Sequence, residues 1–433
     1  MMQSKETERG RAMTEDSKSF SADVAVVGGG VAGLAAAVSA AREGADTYLI
    51  EHYGFLGGTA TAAFVGRFQE GPPVKGSPVI MGLYQEICER LQGYDVYRDK
   101  HFDPEMMKYV AFDLCKETGV KLLLHATVFQ VDVSRSRIDS LSVASKQGPR
   151  QVKAHTYIDA TGDGTVSALA GAEFDLGRQA DGSTQPMTLI FQLGNIDHGR
   201  LKTADWNELS TTLRKELKEL AYRGRIFFHE WVEGMLGFCI SHVSGLNALD
   251  IEDLTEAEIK SRQQALEVLR FFRRHVPGCE RCNLITATDL GIRESRRVTG
   301  DYVLTREDVI GCRKFEDSIG CSTSWIDMHN PDGKGVLHEL VTPEDWFEIP
   351  YRSLLVKGFD NLLVAGRCIS ATHEAQGAIR VMPTCIEVGQ GAGVAAALAA
   401  KERTTTREIS TENLQKRLVA QGANLRESRA QKE

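Results

Sequence analysis

Residues 23–51 set a glycine turn between a buried strand and a helix, and no other stretch constrains the fold as much. Asp23–Val27 is an apolar run of β character, Gly28-x-Gly30-x-x-Gly33 follows, and Val31–Arg42 is an alanine-rich helical segment. Thr47–Ile50 predicts a second strand, with Glu51 at its carboxyl end, eighteen residues past Gly33. Each part meets a physical need of a bound dinucleotide. Gly28 permits the sharp turn, Gly30 leaves the backbone open to a pyrophosphate, and Gly33 lets the helix lie close on the strand. The first helical N–H groups, around Val31 and Ala32, and the positive end of the helix dipole then face the phosphates. Glu51 can accept from ribose hydroxyls, and its charge would repel a 2′-phosphate.

Composition bounds the rest. A chain of 433 residues is long enough for about two domains. A net charge of −8, with no basic stripe carrying interleaved aromatics, argues against nucleic acid or an anionic membrane surface as partner. No apolar run reaches the ~20 residues of a membrane helix, and the polar residues 1–21 lack the apolar core of a secretory signal. They are expected to form a flexible tail. Nine scattered cysteines, an odd number, suit a reducing cytoplasm better than a disulfide framework. Cys279 and Cys282 form a lone CxxC after a helix stop, without a second pair or nearby histidines, so no metal site is expected.

Four later segments favour FAD over a nicotinamide dinucleotide. Glu51 is followed by His52-Tyr53-Gly54-Phe55-Leu56-Gly57-Gly58-Thr59-Ala60-Thr61, where a second glycine pair lets the chain turn back along the pyrophosphate. Tyr157–Gly164 (YIDATGDG) reads as a strand closing on a small-residue turn, with Ala160, Thr161, Gly162 and Asp163 able to approach the cofactor. Asn361–Arg367 (NLLVAGR) is another buried strand, ending at Gly366 and Arg367. The segment Met382–Ala400 then reads as a helix with Pro383 at an early position, where its missing N–H does no harm. The N-terminus of that helix, at Met382, Pro383 and Thr384, could stabilise negative charge on a reduced flavin. Val128 completes the expected cofactor contacts.

The motifs Tyr53–Thr61, Asp159–Gly164, Gly291–Arg297 (GIRESRR) and Asn361–Ala375 together resemble those of FAD-dependent oxidoreductases of the glutathione-reductase-like superfamily. Within it they are similar to a large bacterial family with YGFLGGxAT, DATGDG, GxRExRR and AGRCISATHEA motifs. The resemblance spans about residues 22–402. It implies the fold and the cofactor but little about the substrate, because the superfamily hosts many reactions.

The expected architecture is α/β: a discontinuous Rossmann-like FAD-binding domain at 22–180 and 351–402, an inserted α+β substrate domain at 181–350, and a C-terminal helix and tail at 403–433. Within the first part a helix is read near Pro104–Thr118, with strands near Val120–Leu124, Thr127–Val133 and Ile138–Ser145. In the insert, Gln185–Leu193 should be a strand and Trp206–Tyr222 a helix. Thr255-Glu256-Ala257-Glu258 reads as a capping box opening a helix that stops before Pro277-Gly278. A second glycine fingerprint for NAD(P)H is missing, so a dedicated nicotinamide domain is not expected.

For the chemistry, His373 is the candidate acid/base, lying between a cofactor-proximal strand and the Met382 helix. Arg380 is a candidate for holding a substrate carboxylate. Arg293 and Arg296 would share one face if their segment were helical, and could bind an anion bidentately. Cys368 is expected to be a buried thiol, and Arg67, His101, His229 and His242 are further substrate-side candidates. The expected function is hydride transfer between a small polar or anionic metabolite and flavin N5, with the external electron donor or acceptor unassigned. A redox-neutral hydratase or isomerase, and an electron-transfer flavin subunit, are the alternatives, and self-association is left open.

Overall fold

The computed structural model describes residues 19–218, 220, 226, 228–232, 234–333 and 335–425. The first strand, β1 (Ser19–Val27), starts ahead of Asp23, and Ser19–Ser21 pair with Gln151–Lys153 instead of joining a tail. α1 (Val31–Arg42) and β2 (Thr47–Ile50) follow as expected. α2 (Leu83–Gly93) leads to α3 (Pro104–Thr118), which is bounded by local chemistry. Asp103 caps its start by accepting from the Glu105 N–H, Pro104 fills the first turn, and Gly119 ends it in the left-handed region. β3 (Lys121–Leu123), β4 (Thr127–Ser134), β5 (Arg137–Ala144) and β6 (Arg150–Asp159) complete this part.

The insert holds β7 (Thr188–Gly194), α4 (Trp206–Glu216), β8 (Phe228–Val232), β9 (Met235–Phe238), α5 (Ile251–His275) and β10 (Asn283–Gly291). The four strands form an antiparallel sheet in the order β8-β9-β7-β10. Leu189, Phe191, Phe238, Val268 and Phe272 build a second core between this sheet and its helices, with the Phe191 and Phe238 rings stacked 5.3 Å apart. Two readings are corrected here. α4 ends at Glu216 rather than Tyr222, although Leu217 and Leu220 still pack into the second core. α5 opens at Ile251, not at Thr255, because Asp250 accepts from the Glu252 and Asp253 N–H groups and two acids occupy the first turn. Thr255 lies inside that helix, its hydroxyl donating to the Ile251 carbonyl.

β11 (Ser318–Ser322), β12 (Ile326–His329), β13 (Val336–Glu339) and β14 (Phe347–Pro350) then form two antiparallel pairs, β11 with β14 and β12 with β13. Ile319, Ile326, Met328, Phe347 and Ile349 on these strands join the larger core rather than the second one. The chain returns through β15 (Leu362–Val364), α6 (His373–Ile379), α7 (Met382–Glu402) and α8 (Thr411–Ala420). The main sheet runs β3-β2-β1-β6-β5-β4. β6 divides its outer edge, with Arg150–Val152 antiparallel to β5 and Tyr157–Asp159 parallel to β15. The carboxyl ends of β1, β2, β6 and β15 therefore converge, the place where open parallel sheets bind ligands. Leu414 and Leu418 of α8 are fully buried and Leu425 packs on the same core.

α7 crosses α1 at close range. A Cβ at Gly389 would stand 2.1 Å from the Ala32 carbonyl oxygen, and one at Gly393 would stand 2.1 Å from that of Ala36. Small residues on both helices let the backbones touch, and the first turns of both helices reach the same cavity. Among the described residues no single helix is long and apolar enough to cross a membrane; α6 and α7 qualify only as a pair bent by 92°.

Candidate active site

A cavity of 420 Å³ lies at the converging strand ends. The Gly28 turn that opens it tolerates no side chain: φ is +98° and a Cβ would lie 2.5 Å from the Ala160 carbonyl. At Gly33 a Cβ would meet the Gly28 carbonyl at 1.7 Å, so helix and turn are locked together. Gly30 differs, since the nearest protein atom to a Cβ there is 3.9 Å away and the space it would fill is the cavity itself. α1 starts at Gly30 with no side-chain cap and no acid in its first turn. Its leading N–H groups are left for a ligand, and α7 is likewise uncapped and acid-free at Val381.

Most expected cofactor residues line this cavity: Gly28, Gly30, Val31, Ala32, Glu51, His52, Gly58, Thr59, Val128, Ala160, Thr161, Gly162, Asp163, Gly366, Arg367 and Met382. Six others are not among its lining residues. Gly33 packs the helix, Gly57 donates its N–H to Gly29, Ala60 is buried, and Thr61 donates to the Leu56 carbonyl at 2.7 Å. Pro383 and Thr384 are buried in α7, with the Thr384 hydroxyl 3.0 Å from that of Ser322. Sequence reasoning missed Tyr53 and the run Asp289–Ile292, by which the inserted sheet closes the cavity. The Asp289 N–H donates to Ala62, tying β10 to the second glycine turn.

Glu51 is buried, and one oxygen accepts from the Gly29 N–H while the other takes the Tyr53 N–H at 2.9 Å and His52 Nδ1 at 2.7 Å. Burial pushes its pKa up, but the His52 and backbone hydrogen bonds outweigh that and hold it below the ordinary value. Asp159, fully buried at the end of β6, accepts from Thr161 and from the N–H and hydroxyl of Ser167, and so shapes the turn after it. Asp163 accepts from Arg367 Nη2 at 2.9 Å and from the Ser295 hydroxyl at 2.7 Å.

A second cavity of 210 Å³ shares Thr59, Ala63, Gly291, Ile292, Arg367, Arg380 and Met382 with the first. Phe64, Val65, Ile190, Phe238 and Val381 make much of its wall apolar. Its ionic groups are Arg67, Arg293, Arg367 and Arg380 against the single carboxylate of Asp327, with His329 beside it. Arg380 Nη2 donates to the Asp327 carbonyl at 2.7 Å and to its carboxylate at 3.2 Å, while the buried Nε has no partner. Burial lowers the pKa of this guanidinium despite Asp327. Arg293 spends Nη1 on the Pro186 carbonyl and the Thr188 hydroxyl, at 2.7 and 2.8 Å.

The remaining candidates go elsewhere. Residues 292–295 are not helical, so Arg293 and Arg296 do not share a helix face. Arg296 donates to the Asp163 carbonyl and stacks on Phe174, outside both cavities. His373, at the first position of α6, is buried with Nδ1 2.7 Å from Glu294, which also pairs with Arg297 at 2.6 Å. It lines neither cavity. Cys368 is a buried thiol raised well above its usual pKa by burial, and Cys279 and Cys282 are reduced and buried in the second core. Arg67 reaches the second cavity, whereas His101 bridges to Arg67 by backbone and His242 sits under Gln264. The His229 side chain falls outside the described residues. Among those residues no group of three or more His, Cys, Asp or Glu is placed to hold a metal.

A glycine-turn dinucleotide cavity at the ends of a Rossmann-like sheet, with a second cavity opening off it, defines a nucleotide-cofactor enzyme. The chain matches the family of FAD dependent oxidoreductases over residues 23–418 and belongs to it. FAD is thus its cofactor. No curated relative matches the chain. Among solved structures, a geranylgeranyl bacteriochlorophyll reductase-like protein from Thermoplasma acidophilum is similar over 92% of this chain and 90% of its own, at 15% identity and a TM-score of 0.42. A p-nitrophenol 4-monooxygenase from Pseudomonas putida covers 93% and 84% at 13% identity and 0.42. A myxobacterial chondrochloren halogenase covers 92% and 78% at 12% identity and 0.46.

Proposed function

We propose that the enzyme oxidises or reduces a small anionic metabolite by hydride transfer at the flavin, with the substrate in the second cavity and its anionic group on Arg380 and Arg293. FAD supplies the two-electron carrier. In this reading the uncapped start of α1 and the glycine turn at Gly57–Gly58 hold the pyrophosphate, and Glu51 holds the adenosine ribose. Gly366, Arg367 and the start of α7 border the flavin ring.

The observation that carries the reading is Arg380. It borders both cavities, one of its donors is buried without a partner, and burial disfavours its charge. An arginine stays protonated at neutral pH, so an entering carboxylate or phosphate relieves that cost through charge-assisted hydrogen bonds. Four guanidiniums against one carboxylate in the same wall point the same way. His373 is proposed not as the acid/base but as a brace for Glu294 and Arg297. With no second glycine fingerprint, electrons are proposed to enter or leave through the substrate and an external carrier. The test is an anaerobic screen of hydroxy acids, amino acids, unsaturated acids and neutral polyols for bleaching of the ~450 nm flavin band. Bleaching by carboxylates that is lost in Arg380→Gln supports the reading. Bleaching by neutral polyols alone, with Arg380→Gln unaffected, rejects it.

A further inference from the structure

Hydride loss from an alcohol or amine removes two electrons and two hydrogens, and one hydrogen leaves as a proton from oxygen or nitrogen. A base on the cavity wall that connects to water would carry that proton away. We propose that His329, Asp327 and His338 form that route, a proton relay from the second cavity to solvent. The proposal rests on the reading of that cavity as the substrate site.

β12 and β13 set the geometry. Asp327 and His329 are two residues apart on β12, so they project to the same face, and both border the cavity. His338 on β13 is the register partner of Asp327. The two carboxylate oxygens divide their roles. Oδ1 lies 2.8 Å from His338 Nε2, and Oδ2 lies 3.8 Å from His329 Nε2 and 3.2 Å from Arg380 Nη2. The ends also differ in exposure, with the His329 side chain 2% exposed and that of His338 58% exposed. A buried imidazole on the cavity wall is thus joined through one carboxylate to an imidazole in water. An anchor for Arg380 alone would need no second histidine on the far oxygen.

The step balances without another reagent. The substrate proton goes to one ring nitrogen of His329, and Nε2 then releases its own proton toward Oδ2 of Asp327. The neutral carboxyl turns to bring its proton to the His338 side, and the exposed His338 ring turns to offer its unprotonated nitrogen, takes that proton and releases the one on its other nitrogen to water, which restores the carboxylate. Reduction runs the same path inward. The 3.8 Å separation must tighten for transfer, as catalytic hydrogen bonds do when a ligand enters. His329 faces Arg380 from the end of α6, Arg293 and Arg367 from neighbouring loops and Arg67 at the cavity wall, with Asp327 the only acid there. Gln185 accepts from the His329 N–H and fixes the strand, while Glu294 is taken up by Arg297 and His373.

The test uses the FAD-loaded protein labelled with ¹⁵N-histidine, His329 being assigned from a His329→Gln spectrum and malonate serving as anionic probe. Malonate should shift the His329 signals. In His338→Gln, an exposed change checked by an unaltered flavin spectrum, the His329 ring N–H should exchange with solvent severalfold more slowly and its titration midpoint should move. Asp327→Asn should produce the same slowing. If malonate shifts His329 but His338→Gln changes neither exchange nor midpoint, the relay is wrong and the substrate cavity stands. If malonate leaves His329 unmoved, the cavity reading fails and the relay with it.

Discussion

Gly389 lies so close to Ala32 that a methyl group in its place would sit 2.1 Å from the Ala32 carbonyl oxygen. That contact sets the distance between the two helices whose first turns border the cofactor cavity. Gly389→Ala should therefore push α7 off α1, costing about 1–3 kcal/mol by overpacking. The flavin content of the purified protein should fall together with Tm. A variant with wild-type Tm and full flavin occupancy would show that the crossing is not under this constraint.

Gly30 separates cofactor binding from folding. Its φ of −64° suits any residue, and a Cβ has 3.9 Å of clearance from the nearest protein atom. Gly30→Ala should keep the Tm of flavin-free protein and weaken FAD binding, because the methyl group occupies space assigned to the pyrophosphate. Gly28→Ala and Gly33→Ala, at 2.5 and 1.7 Å from backbone carbonyls, should lower Tm even without flavin. Denaturation scans of stripped and reloaded protein distinguish the two classes.

What the sequence carried was local. The strand, turn and helix of residues 23–42, the capped helix Pro104–Thr118 and the proline-led helix at Met382 depend on neighbours within a turn or two, and each starts within a few residues of its expected place. Thr255 misled because a better cap, Asp250, sat five residues upstream with acids behind it. The Arg293 and Arg296 pairing failed because three-residue spacing juxtaposes side chains only on a helix, and residues 292–295 are not helical while Arg296 opens a short strand. The second cavity had no local signature. Arg67, Arg293, Arg380 and the β12 pair Asp327 and His329 come from four separate segments, and only the tertiary fold brings them to one cavity wall.

Glu294 is fully buried and holds three partners, Arg297 Nη1 at 2.6 Å, His373 Nδ1 at 2.7 Å and the Gln185 N–H at 3.1 Å. Removing its charge leaves a guanidinium whose side chain is 5% exposed without an anionic partner, its remaining bonds going to the Ala371 and Gly177 carbonyls. Glu294→Gln should cost about 3 kcal/mol, the range for breaking a buried ion pair. His373→Gln, which removes one hydrogen bond, should cost about 1 kcal/mol. The double variant Glu294→Gln/Arg297→Met should recover part of the larger loss. Urea denaturation of the four proteins gives the comparison, and equal losses in the two single variants would reject the ion-pair account.

Glu51 and His52 give stability a pH dependence whose direction follows from their shifts. The Glu51 carboxyl is held below its ordinary value of 4.5, so its contribution is present above that pH and lost as pH falls through the lower native value. Donating a hydrogen bond to Glu51 raises His52 above its ordinary 6.5, opposed by burial, so its contribution is full below 6.5 and lost as pH rises through the raised value. Both groups are charged in the window from 4.5 to 6.5, and the pair is worth most there. The His52 side chain is 55% exposed, so solvent keeps the contribution below about 1 kcal/mol. The Tm deficit of His52→Gln should be largest near pH ~6 and shrink toward pH ~9. What remains at high pH measures the contact between the His52 and Tyr53 rings, 3.8 Å apart. A deficit constant across that range would mean that the ring contact, not the charge, ties His52 to the cofactor cavity.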